Sequence, residues 1–91
     1  VKYLDREDIE SLGFIQRPID LEGKPNVMYT KVLEKKIRNF DVVDIVHNPV
    51  SKWVLVTIGD DETPWTDWET RFAGTIKNKS ELKKLLKQLG I

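Results

Sequence analysis

The chain has 91 residues and no formal net charge, with 15 basic and 15 acidic side chains. This length predicts one domain with one core, and the balanced charge argues against nucleic acid or anionic membranes as general partners. The absence of cysteine excludes disulfides, thiolate metal sites and cysteine nucleophiles. No apolar run approaches the roughly 20 residues that span a bilayer, and no signal peptide is recognisable. We therefore expect a soluble, intracellular protein.

The first predicted element is a short helix over residues 5–12. Asp5 is a suitable N-cap, and Leu4 and Ile9 are spaced to pack together across the first turn. Gly13 predicts a left-handed end to the helix. We expect this helix to serve as scaffold, with its apolar side facing the core.

Residues 14–20 predict a weak strand at a sheet edge, because Pro18 cannot donate a hydrogen bond to a neighbouring strand. Residues 22–26 have the composition of a turn. Residues 27–40 fit two structures. We favour two strands that turn at residues 34–36, and the alternative is a helix with one apolar side formed by Leu33, Ile37 and Phe40.

Two further strands are predicted at residues 40–47 and 53–58, joined as an antiparallel hairpin by a turn at residues 47–51. The second is the most continuously apolar run of the chain and predicts a central strand with both faces covered. Asp44 interrupts the first strand. It marks either the solvent side of an edge strand, which we favour, or a site to which a partner donates hydrogen bonds.

The ten residues after Gly59 hold five carboxylates, two tryptophans and no basic residue. This acidic loop fits a protein interface, because aromatic anchors framed by charge are typical of binding hot spots. Alternatively one or both indoles fold over the sheet and the carboxylates keep the loop solvated, or the carboxylates hold calcium, although their spacing departs from the helix-loop-helix calcium motif. The candidate binding residues are Asp60, Asp61, Glu62, Trp65, Asp67, Trp68 and Glu69.

Residues 71–76 predict a last strand, in which Gly74 allows a close neighbour. A closing helix follows, with Ser80 as the predicted N-cap and Gly90 at its end. Four leucines fall on one side of this helix, which must pack on the sheet. These are Leu82, Leu85, Leu86 and Leu89.

The last fifteen residues carry five lysines against Glu81 alone, a net charge of +4, so the preceding 76 residues sum to −4. Lys83, Lys84 and Lys87 form a secondary basic face on the outside of the closing helix. This face could bind an acidic partner, associate head to tail with the acidic loop of another copy, or simply solvate the helix.

The two chain ends, LDREDIESLGF at residues 4–14 and FAGTIKNKSELKKLLKQLGI at residues 72–91, are similar to those of short uncharacterised proteins of tailed phages and mobile elements of gut bacteria. The similarity covers about a third of the chain. It implies an opening helix, a variable antiparallel sheet and a closing helix, with any specific function in the middle. No functional residue can be transferred, because residues 15–68 depart from the pattern.

Catalytic patterns are weak. His47 is the only histidine, and Ser11, Ser51 and Ser80 are poorly placed to form a triad with it. There is no glycine-rich phosphate loop, dinucleotide fingerprint or paired-histidine metal motif. We therefore expect no enzymatic activity, no cofactor and no metal.

The sequence predicts an α+β fold in which the two helices flank a four- or five-stranded antiparallel sheet and the closing helix packs on it. We expect the closing leucines to contact Val43, Ile45, Leu55 or Val56, Phe72 and Ile76. Three functions fit. The first is a phage accessory protein that binds and inhibits a host protein through the acidic loop, in the host cytoplasm. The others are a structural, virion-associated or self-assembling subunit, and a sponge for a nucleotide signal.

Overall fold

The computed structural model describes residues 3–17 and 25–91, which form a five-stranded antiparallel sheet with two helices packed on one face. Strands adjacent in sequence are adjacent in the sheet, so the order is β1-β2-β3-β4-β5. This architecture confirms the predicted α+β fold. The elements are α1 (Arg6–Ser11), β1 (Ile15–Arg17), β2 (Val27–Ile37), β3 (Phe40–Asn48), β4 (Trp53–Gly59), a 3-10 turn (Trp65–Asp67), β5 (Glu69–Thr75) and α2 (Lys79–Gln88).

One hydrophobic core lies between the sheet and the two helices. It contains Ile9 of α1 and Leu82 and Leu86 of α2 together with the inward side chains of the strands. The sequence left open whether Leu55 or Val56 faces α2, and the structure selects Val56, which is fully buried in this cluster. The other expected members are all present, either within the cluster or packed against it: Val43, Ile45, Ile76, Phe72, Leu85 and Leu89.

The opening helix forms as predicted. The Asp5 carboxylate accepts a hydrogen bond of 2.9 Å from the backbone N–H of Asp8, and Gly13 adopts a φ of +96° just after the helix. Leu4 and Ile9 are buried. The β1 strand then forms the edge of the sheet, as expected, but Pro18 and most of the predicted turn at 22–26 lie outside the described residues.

The predicted turn at residues 34–36 is wrong, and so is the helical alternative for this segment. β2 continues to Ile37, and Arg38 and Asn39 make a two-residue hairpin turn with φ values of +51° and +73°. Two positive φ values give the turn whose twist matches paired strands, and asparagine tolerates that conformation well. Residues 34–36 instead lie within β2, where the pairing with β3 shifts register between Val32 and Ile37.

β3 is the middle strand of the sheet, paired with β2 on one side and β4 on the other. The favoured placement of Asp44 on the solvent side of an edge strand is therefore wrong. β4 pairs on both sides but is not the central strand that was expected, because β5 alone separates it from the sheet edge; its hairpin with β3 is confirmed. In the connecting turn, Asn48 Oδ1 accepts hydrogen bonds from the backbone N–H groups of Val50 (2.9 Å) and Ser51 (3.0 Å).

The N-cap of α2 is Asn78, not Ser80. Asn78 Oδ1 accepts from the backbone N–H of Glu81 at 3.0 Å, while the Glu81 carboxylate accepts from the backbone N–H of Lys77 at 2.9 Å. This reciprocal arrangement satisfies two donors at the helix start, and Ser80 cannot supply it because it already lies inside the helix. At the other end Gly90 has a φ of +79°, which confirms the predicted C-cap.

Helices α1 and α2 both lie on the same face of the sheet, which leaves the second face without a helix among the described residues. The strand register assigns to that second face Thr30, Val42, Asp44, Leu55 and Thr57. Neither described helix is long and apolar enough to cross a membrane. The acidic loop between β4 and β5 returns over the second face, and the candidate site lies there.

Candidate functional site

The acidic loop is held in shape by Asp60 at its start. The carboxylate of Asp60 accepts hydrogen bonds from the backbone N–H groups of Glu62 (3.0 Å) and Thr63 (2.8 Å). Hydrogen bonding from Thr63 lowers the pKa of Asp60, which favours the ionised form of this carboxylate. One of the five carboxylates therefore stabilises the loop through hydrogen bonds, in addition to keeping it solvated.

Trp68 anchors the far end of the loop to the sheet. Its indole Nε1–H donates a 2.9 Å hydrogen bond to the carbonyl oxygen of Thr63, and its ring lies directly against Gly59. A Cβ atom on Gly59 would stand only 2.2 Å from Trp68 Cδ2, so the ring occupies the space that any other residue would fill. The interpretation in which an indole folds over the sheet is confirmed for Trp68.

Trp65 behaves differently, because it remains 43% exposed. It begins the 3-10 turn that follows Pro64, and the backbone N–H of Trp68 donates to its carbonyl oxygen at 3.1 Å. The two tryptophans of the acidic loop thus divide their roles. Trp68 is half-buried scaffold, while Trp65 presents a large aromatic surface to solvent on a backbone fixed from both sides.

Asp44 lies beneath this loop, on the second face of the middle strand. Only 5% of the residue is exposed, and its carboxylate accepts a 2.8 Å hydrogen bond from the Thr30 hydroxyl. Burial raises the pKa of Asp44, while the Thr30 hydrogen bond, the charge of Arg17 and hydrogen bonding from the Trp65 side chain favour the ionised form. Within the described part of the chain, Asp44 forms no ion pair closer than 4.0 Å.

Thr57 is the cross-strand neighbour of Asp44, directly opposite it on β4. The residue is buried, and its hydroxyl Oγ1 has no hydrogen-bond partner among the described residues. Buried polar atoms in native proteins nearly always have a partner. In the described part of the chain, Asp44 thus has no counter-ion within 4.0 Å, and the hydroxyl of its neighbour Thr57 has no hydrogen bond.

A cleft of about 410 Å³ joins Asp44 to the acidic loop on the second face. Trp65 and Trp68 line it with Asp60 and Asp61, and Asp44 lies at its base. Arg17 contributes a cation from the sheet edge. The cleft thus collects four of the seven loop residues singled out in the sequence.

The other three predicted loop residues lie elsewhere. Glu62 lines a neighbouring polar depression with Asp41 and Lys36, Glu69 accepts a 2.9 Å hydrogen bond from Arg71 on β5, and Asp67 is an exposed residue of the 3-10 turn. The described residues contain no group of three acidic or histidine side chains arranged to hold a metal ion, so the structure gives the calcium interpretation no site there.

Sequence reasoning missed Thr30 and Arg17 as members of the site and favoured a solvent-side position for Asp44 over a role in binding. A signal for Asp44 existed, because a carboxylate between apolar strand residues is uncommon. The burial of Asp44 could not be predicted from the sequence, because it depends on β3 being the middle strand.

The secondary basic face on α2 forms as predicted, with Lys83, Lys84 and Lys87 all exposed. Lys83 and Lys87 line a groove of about 340 Å³ together with Lys31 of β2. Lys31 is already engaged, because its ammonium donates to the carbonyl oxygen of Leu12 at 3.2 Å and lies 5.8 Å from the centre of the Phe14 ring.

His47 is buried on the helix face of β3, and its Nε2 has no hydrogen-bond partner among the residues that the structure describes. Burial lowers its pKa, and the nearby charge of Lys52 lowers it further. None of the serines considered for a triad hydrogen-bonds to it in the described chain: Ser11 donates to the carbonyl oxygen of Asp8 and Ser51 accepts from the backbone N–H of Trp53. The arrangement offers no activated nucleophile beside His47.

Comparison with known proteins adds no assignment. No family model matches the chain, and neither a curated protein nor a solved structure matches it.

Proposed function

We propose that this protein is a non-enzymatic accessory protein that binds another protein through its acidic loop. The observation that carries the proposal is the exposure of Trp65, 43% of which is open to solvent, on a loop fixed by Asp60 and Trp68. Exposed tryptophan on a rigid backbone loses little conformational entropy on binding, and tryptophan is among the residues most enriched at binding hot spots.

The charge around Trp65 indicates the kind of surface it meets. Asp60 and Asp61 line the cleft beside it, and Glu62 and Asp67 extend the same acidic loop. An acidic surface is complementary to a basic segment of a partner, and such complementarity raises the rate of encounter and suppresses wrong partners. A protein that normally binds nucleic acid presents a basic surface, which the acidic loop would complement.

The similarity of the chain ends to phage and mobile-element proteins supports a host protein as the partner. In this proposal the protein works in the cytoplasm of an infected bacterium and occludes the nucleic-acid-binding surface of a defence or nucleic-acid enzyme. The loop would then act by shape and charge, as a mimic of the polyanion that the host enzyme binds.

The test compares the wild type with Trp65→Ala and Val50→Ala as tagged baits in lysate of a gut bacterium. Val50 is a matched control, because it is also an exposed apolar residue but lies in the β3–β4 turn at the other end of β4. We expect a host protein that is retained by the wild type and Val50→Ala and reduced at least tenfold with Trp65→Ala, while all three melt at similar temperatures. Equal recovery with Trp65→Ala would contradict the proposal.

Self-assembly is a second candidate, favoured by one observation. Ile15 and Val32 are 68% and 69% exposed, and both lie on the second face near the β1 edge, where Ile15 pairs with Thr30. A second copy could cover them, as in a structural subunit. Light scattering at micromolar concentration would then show a closed oligomer that Val32→Lys disrupts, and a strict monomer would contradict this function.

A sponge for a nucleotide signal is the third candidate, with Trp65 stacking on a base. It fits the site least, because Asp44, Asp60 and Asp61 in the same cleft would repel the phosphates of the ligand. A thermal shift with cyclic oligonucleotides would support it.

A further inference from the structure

We infer that the cleft on the second face of the sheet is a recognition pocket for a lysine side chain of the partner protein, with Asp44 as the carboxylate that receives the ammonium group. This inference rests on the proposed function and deepens it by naming the chemistry of the contact. It assigns the binding determinant to the floor of the cleft, below the exposed loop.

The first step of the argument is the isolation of Asp44. A carboxylate that is 5% exposed has lost most of its hydration, and proteins normally compensate by pairing such a group with a cation. Asp44 has the Thr30 hydroxyl at 2.8 Å, but no cation lies within 4.0 Å in the described residues. Burial also raises its pKa, as expected of a carboxylate without a counter-ion. An incoming cation would supply the counter-ion that Asp44 lacks among the described residues.

The second step is the charge of the cleft lining. Arg17 is the only cation among the described residues that line the cleft, against the carboxylates of Asp44, Asp60 and Asp61. An ammonium group carries three N–H donors and no acceptor, so it suits a cleft lined by carboxylate oxygens. Thr57, which lies opposite Asp44 on β4, is not among the lining residues.

The third step is the wall of the cleft. Trp65 and Trp68 both line it, and tryptophan is the aromatic residue that attracts cations most strongly through its ring face. The four-carbon stem of lysine can pack along indole rings while its charge reaches the floor. Asp60 and Asp61 at the rim would draw the cation in.

Lysine fits better than arginine for a geometric reason. The planar guanidinium pairs best when it can bind both carboxylate oxygens at once. One oxygen of Asp44 already accepts a hydrogen bond from Thr30. An ammonium acts as a point charge and needs only one free oxygen.

Arg17 provides a test of the inferred role of Asp44. It lines the same cleft from β1, and its charge acts on Asp44 without forming an ion pair. It is therefore a weak intramolecular competitor for an incoming cation. Removing its charge should strengthen lysine binding, whereas removing the charge of Asp44 should abolish it.

The experiment is an NMR titration of the 15N-labelled chain with Nα-acetyl-lysine-N-methylamide, and with its norleucine counterpart as a neutral control of similar shape. We expect saturable shifts for the lysine probe at the Trp65 indole N–H and at the amides of Thr30, Asp44 and Thr57. The norleucine probe should leave these signals unmoved. Shifts of equal size with norleucine, or shifts confined to Glu62 and Asp67, would overturn the inference.

Titration of three variants tests which residues bind the lysine probe. Asp44→Asn should weaken binding of the lysine probe by about tenfold or more, which corresponds to loss of a buried charge pair. Arg17→Gln should strengthen it, and Val50→Ala should leave it unchanged. Unaltered binding by Asp44→Asn, provided the spectrum shows a folded protein, would contradict the inference, as would saturation by spermidine without saturation by the lysine probe.

The outcome also separates this inference from the proposed function. If Trp65→Ala loses a host partner but the lysine probe does not bind, only the pocket assignment fails. If the probe binds at Asp44 but no partner depends on Trp65, the proposed function fails and the cleft remains a site for cations.

Discussion

Gly59 shows how a single residue determines the shape of the candidate site. It is the last residue of β4, and the ring of Trp68 fills the space where a side chain would begin. The contact holds the end of the acidic loop against the sheet, so the cleft wall depends on the absence of one methyl group.

We therefore predict that Gly59→Ala displaces the Trp68 ring and breaks its hydrogen bond to Thr63. The free energy of unfolding should fall by about 1–3 kcal/mol, as for other overpacked sites. Urea denaturation would measure the loss, and the Trp68 indole N–H signal should shift in an NMR spectrum. Gly74→Ala is the control, because its Cβ would stand 3.1 Å from Cζ at the tip of the Phe72 ring, a much smaller overlap that should cost less. Equal stability of wild type and Gly59→Ala would contradict this account.

His47 is the second residue whose environment has a measurable consequence. Burial is the main cause of its lowered pKa, with Lys52 contributing and Asp5 opposing. The unfolded chain binds a proton near pH 6.5, whereas the folded chain resists it. The neutral histidine thus contributes stability that is fully present above about pH 6.5 and is lost as pH falls through that value towards the lower folded pKa.

Urea denaturation at pH 7.5 and pH 5.5 should reveal this dependence as a drop in stability at the lower pH. His47→Gln cannot be protonated and should show a smaller drop over the same interval. The drop in the wild type has to be compared with the drop in His47→Gln, because other groups can also contribute to it. Asp5 and Tyr29 line the same cavity as His47, and Asp44 also has a shifted pKa. A drop of the same size in His47→Gln would rule out the histidine as its source.

At the scale of elements, the sequence prediction succeeded for the helix ends that depend on local residues and failed for one hairpin turn. Asp5, Gly13 and Gly90 act locally, so their roles at the ends of α1 and α2 were predictable. The β2–β3 turn was not, because three polar residues at 34–36 resemble a turn while the hairpin depends on positive φ at Arg38 and Asn39.

We expect the double substitution Arg38→Asn with Asn39→Gly to raise the free energy of unfolding by about 1 kcal/mol. Asparagine followed by glycine is the preferred pair for a two-residue hairpin with positive φ at both positions. The matched control places the same pair at residues 34–35, inside β2, through Glu34→Asn with Lys35→Gly. That variant should lose stability, because glycine weakens a strand interior. Thermal melting compares the two, and stabilisation of the control instead would show that the chain turns earlier.

At the scale of the molecule, the two helices cover one face of the sheet, and among the described residues only the acidic loop lies over the other. β3 and β4 pair on both sides and supply the largest share of buried strand residues, whereas β1 has three exposed residues at the edge. Local stability should follow this gradient.

Hydrogen exchange measured by NMR should therefore find the slowest amides in β3 and β4 and faster exchange in β1 and residues 60–68. The physical reason is that amides of the interior strands exchange only when the core opens, while the edge and loop can open alone. Exchange in β1 as slow as that in β3 would contradict the assignment of β1 as an exposed edge strand.

The sequence by itself determined what depends on neighbours along the chain. The leucine spacing of α2, the caps of α1, the β3–β4 hairpin and the concentration of carboxylates and tryptophans after Gly59 follow from local periodicity and turn chemistry. The class of fold follows from the same patterns.

Only the tertiary structure decided which strand lies in the middle, and that decision creates the site. Asp44 is buried because β2 and β4 flank β3, and it meets Trp65 because the loop folds back over the second face. Thr30 lies 14 residues from Asp44 in sequence, and no local pattern joins them. The depth of a carboxylate depends on strand order, which is set by long-range pairing and packing of the whole sheet.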